Sequence, residues 1–496
     1  MNAGQDATRL DRREVVALVV MLAALSLMRW QVGSQLPLSE DEAYYTAWSL
    51  TPDWGYWTKP PMIAWAIGLC RELFGPTLEA VRVVPALAFF LCGVTLFRLV
   101  LDLGGSSLQA WVSTVLWMTT PLVSFYGLIA TTDSMLMLFW LLAMRSAWQA
   151  LQGRSAHWIW TGLWVGLGLL SKYSMVLFGV GVVAALLHPA WRWHWRSPWL
   201  YAGGVVASLV FAPNLWWNFT QGAPTLHHTA QISGGGIGYG LRWMSLLEFW
   251  LAQWAVTGLV ALVVCGLWLK SKPWRSDAAG NAHAALWVVH AAWPMLLVIS
   301  IQALFTRAHA NWAAPALISV LLGAAWWMVQ GRHVRWFQLA LALHVLFMAA
   351  LYGYDLYAKP LNIRPSVFSD PFWTLRSWPD LNRAVINAWW TQASDVQRAD
   401  WRIASEDRGI VSQVQATLNL PAGQALGWQL ADAPDNHFEQ RFPIRSGTPS
   451  QQVLLITRMP EATVLQRFPQ AQHAQHVIIR RIPDAPVDVQ FWWLKP

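Results

Sequence analysis

Nine apolar stretches of membrane-spanning length, plus a longer apolar region interrupted by a lysine, constrain this chain more than any other feature. They fall at about residues 14–32, 79–103, 108–126, 133–150, 199–217, 246–269, 285–305, 312–330 and 336–357. A run of about 20 apolar residues is the length of helix needed to cross the hydrocarbon of a bilayer. Inside that hydrocarbon every backbone N–H and C=O must be satisfied within the segment, so such runs are read as helices. The charged fraction is 12%, against about 25% in a soluble domain. Tryptophan is abundant at 37 residues, and its ring favours the membrane–water interface. The sequence predicts an all-α polytopic membrane domain.

Residues 157–188 are too long for one ordinary span and short for two, with Lys172 near the middle. Loop charge arbitrates, because short cytoplasmic loops carry an excess of Lys and Arg. Two short helices meeting at Lys172 give about eleven spans. The basic loops Arg192/Arg196, Lys270/Lys272/Arg275 and Arg332/Arg335 then share the cytoplasmic face with the N-terminus. One helix would split them from it, so two helices are predicted. The net charge of +8 is accounted for by these loops, and no nucleic-acid partner is implied. The stretch 14–30 follows Arg9, Arg12 and Arg13 and lacks a small-residue cleavage site, so it reads as a retained first span. Cys70, Cys92 and Cys265 form no CxxC pair and read as buried packing residues.

The division predicted is a membrane domain over 1–357, with a first periplasmic loop at 33–78, and a small α/β domain over 358–496. Short strand-like runs mark the latter at 401–407, 424–430, 452–458, 476–482 and 489–494. Gly234-Gly235-Gly236 reads as a flexible loop, and no internal repeat is evident.

The polar residues that need explaining gather on the predicted non-cytoplasmic face. Ser39-Glu40-Asp41-Glu42 fits a capping box, which accounts for Ser39 and Glu42. It leaves Asp41 over. In a helix starting here Asp41, Tyr44, Tyr45 and Trp48 share one face, and a carboxylate bordered by aromatic rings suits general-base work on a hydroxyl or sugar binding. Lys59 precedes Pro60-Pro61, so it is extended, and Pro61 suits the first position of the helix that follows. An ammonium beside a helix start favours a phosphate. Thr131-Thr132-Asp133-Ser134 opens a span, where an N-cap and a catalytic Asp133 are both open. Lys172 lies at membrane depth, which marks it as a functional candidate. Arg307, His309 and Asn311 cluster at another span mouth, and His227-His228 form an adjacent pair. No P-loop, HExxH or GxSxG sequence occurs.

Together DEAYY, GYW-x-KPP, TTDSM, LLSKYS and NWAAP resemble the GT-C membrane glycosyltransferases of the dolichyl-phosphate-mannose protein mannosyltransferase superfamily, over about residues 14–330. The bacterial branch with the lipid A aminoarabinose transferase is the more similar. The resemblance implies a polyprenyl-monophosphate sugar donor, a glycolipid or protein acceptor, a site on the periplasmic side of the bacterial inner membrane, and inversion at the anomeric carbon. It assigns the base to Asp41 and the donor-phosphate contact to Lys59. Lys172 and Arg307 would assist at the phosphate. Glu42, Tyr44, Tyr45, Trp57, His228, His309 and Asn311 would contact substrate. The aminoarabinose transferase carries Glu before its K-P-P lysine and uses it, with a histidine, at a zinc site. Here that position is Thr58. A divalent metal is therefore not expected to be required, although His227-His228 leaves room for one. The rival class is a transporter or flippase, which would show inverted repeats and mid-bilayer charges.

Overall fold

The computed structural model describes residues 11–234, 240–275, 279–392 and 400–496, so Gly235 and Gly236 of the expected glycine loop lie outside the described residues. The chain divides into two compact units. One comprises Met1–Gln31, Lys59–Ile63 and Val83–Tyr352, and the other Val32–Thr58, Ala64–Arg82 and Gly353–Pro496.

The first unit is helical around one continuous apolar core that includes Leu22, Phe89, Trp117, Trp140 and Trp287. Among the described residues six helices are long and apolar enough to cross a membrane: Arg12–Ser34, Leu78–Asp102, Pro198–Thr220, Asn281–Phe305, Ala310–Gln330 and Val334–Tyr352. A bent pair, Trp243–Thr257 and Leu259–Arg275, makes seven if it crosses as one. This is a multi-pass membrane protein. Ser107–Thr119, Thr132–Leu151 and His157–Ser171 are helices outside that set, and Tyr173–Leu186 is a shorter apolar one.

Three expected spans are interrupted. The 108–126 run is cut at Thr120, where Pro121 cannot continue the helix; Thr120 turns out to ψ 150° and caps the next one, Pro121–Tyr126. The 336–357 run ends at Tyr352 and restarts as Tyr354–Ala358. The 246–269 run bends by 103° at Gly258, whose φ of +93° is open to glycine but strained for other residues. A Cβ there would sit 2.1 Å from His344 Nε2, so space demands glycine as well. Elsewhere small residues let helices touch: a Cβ on Gly162 would meet the Gly203 carbonyl at 1.9 Å, which ties His157–Ser171 closely to Pro198–Thr220.

The expected break at Lys172 is present. His157–Ser171 ends there, Lys172 is extended at φ −160° and ψ 133°, and a 3-10 turn leads into Val176–Leu186.

The second unit holds a six-stranded sheet made of β1 (Arg402–Ser405), β2 (Ala425–Trp428), β3 (Pro443–Ile444), β4 (Val453–Thr457), β5 (Gln472–Ile479) and β6 (Val487–Leu494). The order is β3-β2-β1-β4-β6-β5. β3, β2, β1 and β4 run parallel, with Ile403 opposite both Ala425 and Leu454, while β6 and β5 add an antiparallel edge. Side chains alternate between two cores. Ile403, Leu454 and Trp493 face one, with Trp378 and Leu381 from the helix Trp378–Gln392. Ala404, Leu455 and Trp492 face the other. The central strand β4 is buried throughout, as a strand covered on both faces must be. The helix Glu40–Ser49 from the first loop belongs to this unit.

Candidate active site

Three of the expected polar positions of the first unit come together, two of them on the carboxylate of the third. Asp133 lies in the first turn of Thr132–Leu151 and is 3% exposed. Its Oδ1 is 2.8 Å from Lys172 Nζ, and its Oδ2 accepts from Asn311 Nδ2 at 2.8 Å. Thr131 supplies the N-cap position without a side-chain bond, and Asp133 faces inward instead of capping. The helix break at Lys172 frees its side chain to reach Asp133, 39 residues earlier. Asn311 comes from the 3-10 turn Ala310–Ala313, which is steadied by Gln253 Nε2 donating to the Ala310 carbonyl at 3.0 Å.

Around this hub stand further cations. His309 is held below the ordinary imidazole range, first by partial burial and then by the positive charges of Arg307, Lys172 and Lys59. All three basic side chains are therefore within electrostatic reach of one imidazole. Lys59 is half-buried, immediately before Pro60-Pro61 and the helix Met62–Phe74, which begins one residue later than expected. Arg307 is exposed. Such a group can meet an anion with charge-assisted hydrogen bonds. His227 is exposed and His228 half-buried on the helix Pro224–Gly234. Among the described residues no three His, Cys, Asp or Glu side chains gather as metal ligands.

In the second unit the capping box forms as expected. Glu42 N bonds Ser39 Oγ, and the Glu42 carboxylate takes up the Ser39 amide at 3.0 Å. Glu42 does more than cap, however. Its Oε1 is 3.0 Å from Arg82 Nη1 and both side chains are fully buried, so the expected substrate contact at Glu42 is replaced by a buried ion pair. Tyr44 and Tyr45 are corrected in the same way. Tyr44 Oη accepts from the His437 amide at 2.7 Å, and its ring lies 4.6 Å from Trp48. Tyr45 is 2% exposed and packs on Trp48, which in turn stacks on Tyr56 at 4.7 Å. The aromatic row is interior packing. Asp41 stays exposed, and Arg408 beside it spans the Tyr44 ring and Glu40. Trp57 is half-buried.

Comparison with known proteins fits these arrangements. The profile of the dolichyl-phosphate-mannose-protein mannosyltransferase family matches residues 58–217. The lipid A galacturonosyltransferase RgtD of Rhizobium johnstonii is 30% identical over 411 residues, covering 82% of each chain. This chain belongs to the same family of GT-C membrane glycosyltransferases. An undecaprenyl phosphate-alpha-4-amino-4-deoxy-L-arabinose arabinosyl transferase of Erwinia tasmaniensis is 31% identical over 168 residues, covering 32% of this chain and 30% of its own. The crystal structure of ArnT from Cupriavidus metallidurans bound to undecaprenyl phosphate shares the fold, with a TM-score of 0.57 at 14% identity over 96% of this chain and 97% of that one. The chain is thus an integral-membrane glycosyltransferase of the class that uses polyprenyl-phosphate sugars, and the transporter alternative finds no support among these relatives.

For a GT-C enzyme, the residues that motif reading missed are the ones that lock the visible ones in place. Arg82, Arg408 and His437 lie 40 to nearly 400 positions from their partners Glu42, Glu40 and Tyr44. The one available signal was Arg82 itself, a charge just inside an apolar run.

Proposed function

We propose that this glycosyltransferase moves a sugar from a polyprenyl monophosphate to a hydroxyl or phosphate of an envelope glycolipid, on the periplasmic side of the inner membrane. The observation that supports it is the Asp133–Lys172–Asn311 hub, with Lys59 and Arg307 bearing on His309. A monophosphate leaving group carries about one to two negative charges, and this set of cations can neutralise it. Lys59 contacts the donor phosphate, Lys172 and Arg307 assist, and Asp133 acts as the counter-ion that positions Lys172 and Asn311. His309, Asn311, His228 and Trp57 remain proposed sugar or acceptor contacts.

With a hydroxyl acceptor, Asp41 is the proposed base. It takes the hydroxyl proton as the acceptor oxygen bonds to the anomeric carbon. The bond from that carbon to the phosphate oxygen breaks, and the electron pair leaves with the polyprenyl phosphate. Inversion follows from a single displacement. With a phosphate acceptor no base is needed, and Asp41 orients the sugar. Lipid A is the favoured acceptor, as the name of the galacturonosyltransferase relative suggests.

The arrangement in the membrane is part of the proposal: eleven spans, a membrane domain over 1–357 with its 33–78 loop periplasmic, and a periplasmic domain over 358–496. The test is donor binding to purified protein, comparing a short-chain polyprenyl-phosphate sugar with the nucleotide sugar of the same head group. Lys59→Ala should weaken binding and turnover together, since a contact to phosphate acts in both ground and transition states. Lys59→Arg should restore only part. Asp41→Asn should keep donor binding and lower hydroxyl transfer by about 10²–10⁴. Preference for the nucleotide sugar would overturn the donor assignment.

A further inference from the structure

The second unit contains a cavity of about 570 Å³ that none of the roles above uses. Ser34, the last residue of the span Arg12–Ser34, and Leu78, the first of the span Leu78–Asp102, both line it. It therefore lies at the ends of two helices long and apolar enough to cross a membrane. Its lining includes two arginines, Arg71 and Arg383, and no carboxylate. Arg383 is spoken for, because it pairs with Asp380. Arg71 is not. It is half-buried, its described hydrogen bond is a long one of 3.4 Å to Asn419 Oδ1, and no carboxylate pairs with it among the described residues. A half-buried guanidinium facing a cavity without a counter-ion is a site awaiting an anion.

A second observation points the same way. Asn382 lines the cavity and is 7% exposed; its Nδ2 donates to Thr417 Oγ1 at 2.8 Å while its Oδ1 accepts nothing. Ser34 Oγ is likewise buried without a partner. Turning the amide over moves the unmet group from oxygen to nitrogen and does not remove it. Buried polar atoms are normally satisfied, so a ligand rich in hydroxyls suits this wall. Leu36, Val81 and Ile386 give the rest of the lining an apolar character.

We infer that this cavity binds the phosphorylated sugar headgroup of a membrane glycolipid, its phosphate on Arg71, a sugar hydroxyl on Asn382, and its acyl chains left outside in the bilayer. The volume lies in the range of pockets that hold one small polar ligand, about 300–1,000 Å³, and is too small for the lipid chains. In this enzyme that occupant is the acceptor, an identification that rests on the glycolipid acceptor proposed above.

The experiment measures binding to the full-length protein in detergent, using monophosphoryl lipid A, its dephosphorylated counterpart and inorganic phosphate. A short-chain polyprenyl phosphate is run alongside as the donor control. Arg71→Ala should weaken binding of the phosphorylated lipid by about 10- to 100-fold, the size of a lost charge-assisted contact. Arg71→Lys should recover part of the loss. Asn382→Asp, which keeps the shape and adds a negative charge, should also weaken it. The dephosphorylated lipid should bind weakly and with no dependence on Arg71, and donor binding should not change. The inference is overturned if Arg71→Ala and Asn382→Asp both bind the lipid as the parent does. It is also overturned if inorganic phosphate binds as tightly as the lipid, or if donor binding falls in proportion. Arg71-dependent lipid binding without any sugar transfer to that lipid would retain the cavity and remove the acceptor reading.

Discussion

Replacing Asp133 by Asn keeps the side-chain shape and removes the charge that faces Lys172. The ammonium is then left 17% exposed with no counter-ion 2.8 Å away. Removing one partner of a fully buried ion pair costs about 3–5 kcal/mol. Lys172 retains some access to water, and an amide at 133 still bonds Asn311, so about 2–3 kcal/mol is expected here. The assay is a double-mutant cycle on the purified protein, with stability read by denaturant unfolding in detergent. Lys172→Met alone leaves Asp133 charged and buried, and should cost a similar amount. The Asp133→Asn/Lys172→Met pair removes both charges, so it should be more stable than the sum of the single changes predicts, by at least about 1 kcal/mol. Activity should part company with stability. The double variant regains stability yet transfers sugar more slowly, because the ammonium proposed to assist Lys59 at the donor phosphate has gone. Single effects that add within about 0.5 kcal/mol would show that the two groups are energetically independent, and the hub would not exist as described.

Three further outcomes are expected. Glu42→Gln should cost about 3–5 kcal/mol and not the ~1 kcal/mol of a lost cap, because it leaves Arg82 in a fully buried site without its carboxylate counter-ion; thermal unfolding of the variant beside Ser39→Ala separates the two effects. Burial pulls His437 down from the ordinary imidazole value of 6.5 to about 4. The unfolded chain therefore takes up this proton first as pH falls, and stability held above pH 6.5 should decline by up to about 3 kcal/mol on the way to pH 4; His437→Gln should flatten that stretch of the unfolding profile. Alkaline phosphatase fused after Trp57 or residue 400 should be active and after Trp195 or Trp274 inactive, whereas activity at Trp195 would mean that residues 157–188 cross the membrane once.

Hydropathy and turn chemistry alone determined the class of this protein. An apolar run long enough to cross a bilayer has one low-energy backbone, so the helical segments were legible. So was the break at Lys172, because a charge within a run too long for one span has to be placed somewhere. The five strand-like runs after residue 400 became β1, β2, β4, β5 and β6 for a similar reason: alternation and β-branched content act locally. The two-residue β3 was too short to leave a pattern. The bend at Gly258 was not legible either, since an isolated glycine in an apolar run looks the same whether it kinks or packs, and His344 closing on it is a contact across 86 residues.

At the site the division is sharper. The sequence named Asp133, Lys172 and Asn311 as separate polar points, and only the fold joined them through one carboxylate. It also read Tyr44 and Tyr45 as facing substrate, because helical periodicity puts them beside Asp41, and the family resemblance added Glu42. Periodicity states which residues share a face, but not what covers that face. Arg82, His437 and Arg408 cover it, arriving from distant parts of the chain, and they turn an apparent binding surface into the packed interior of the second unit. Local spacing fixes the helix and its caps, while the choice between a buried partner and a substrate belongs to whichever side chains tertiary structure brings within about 3 Å.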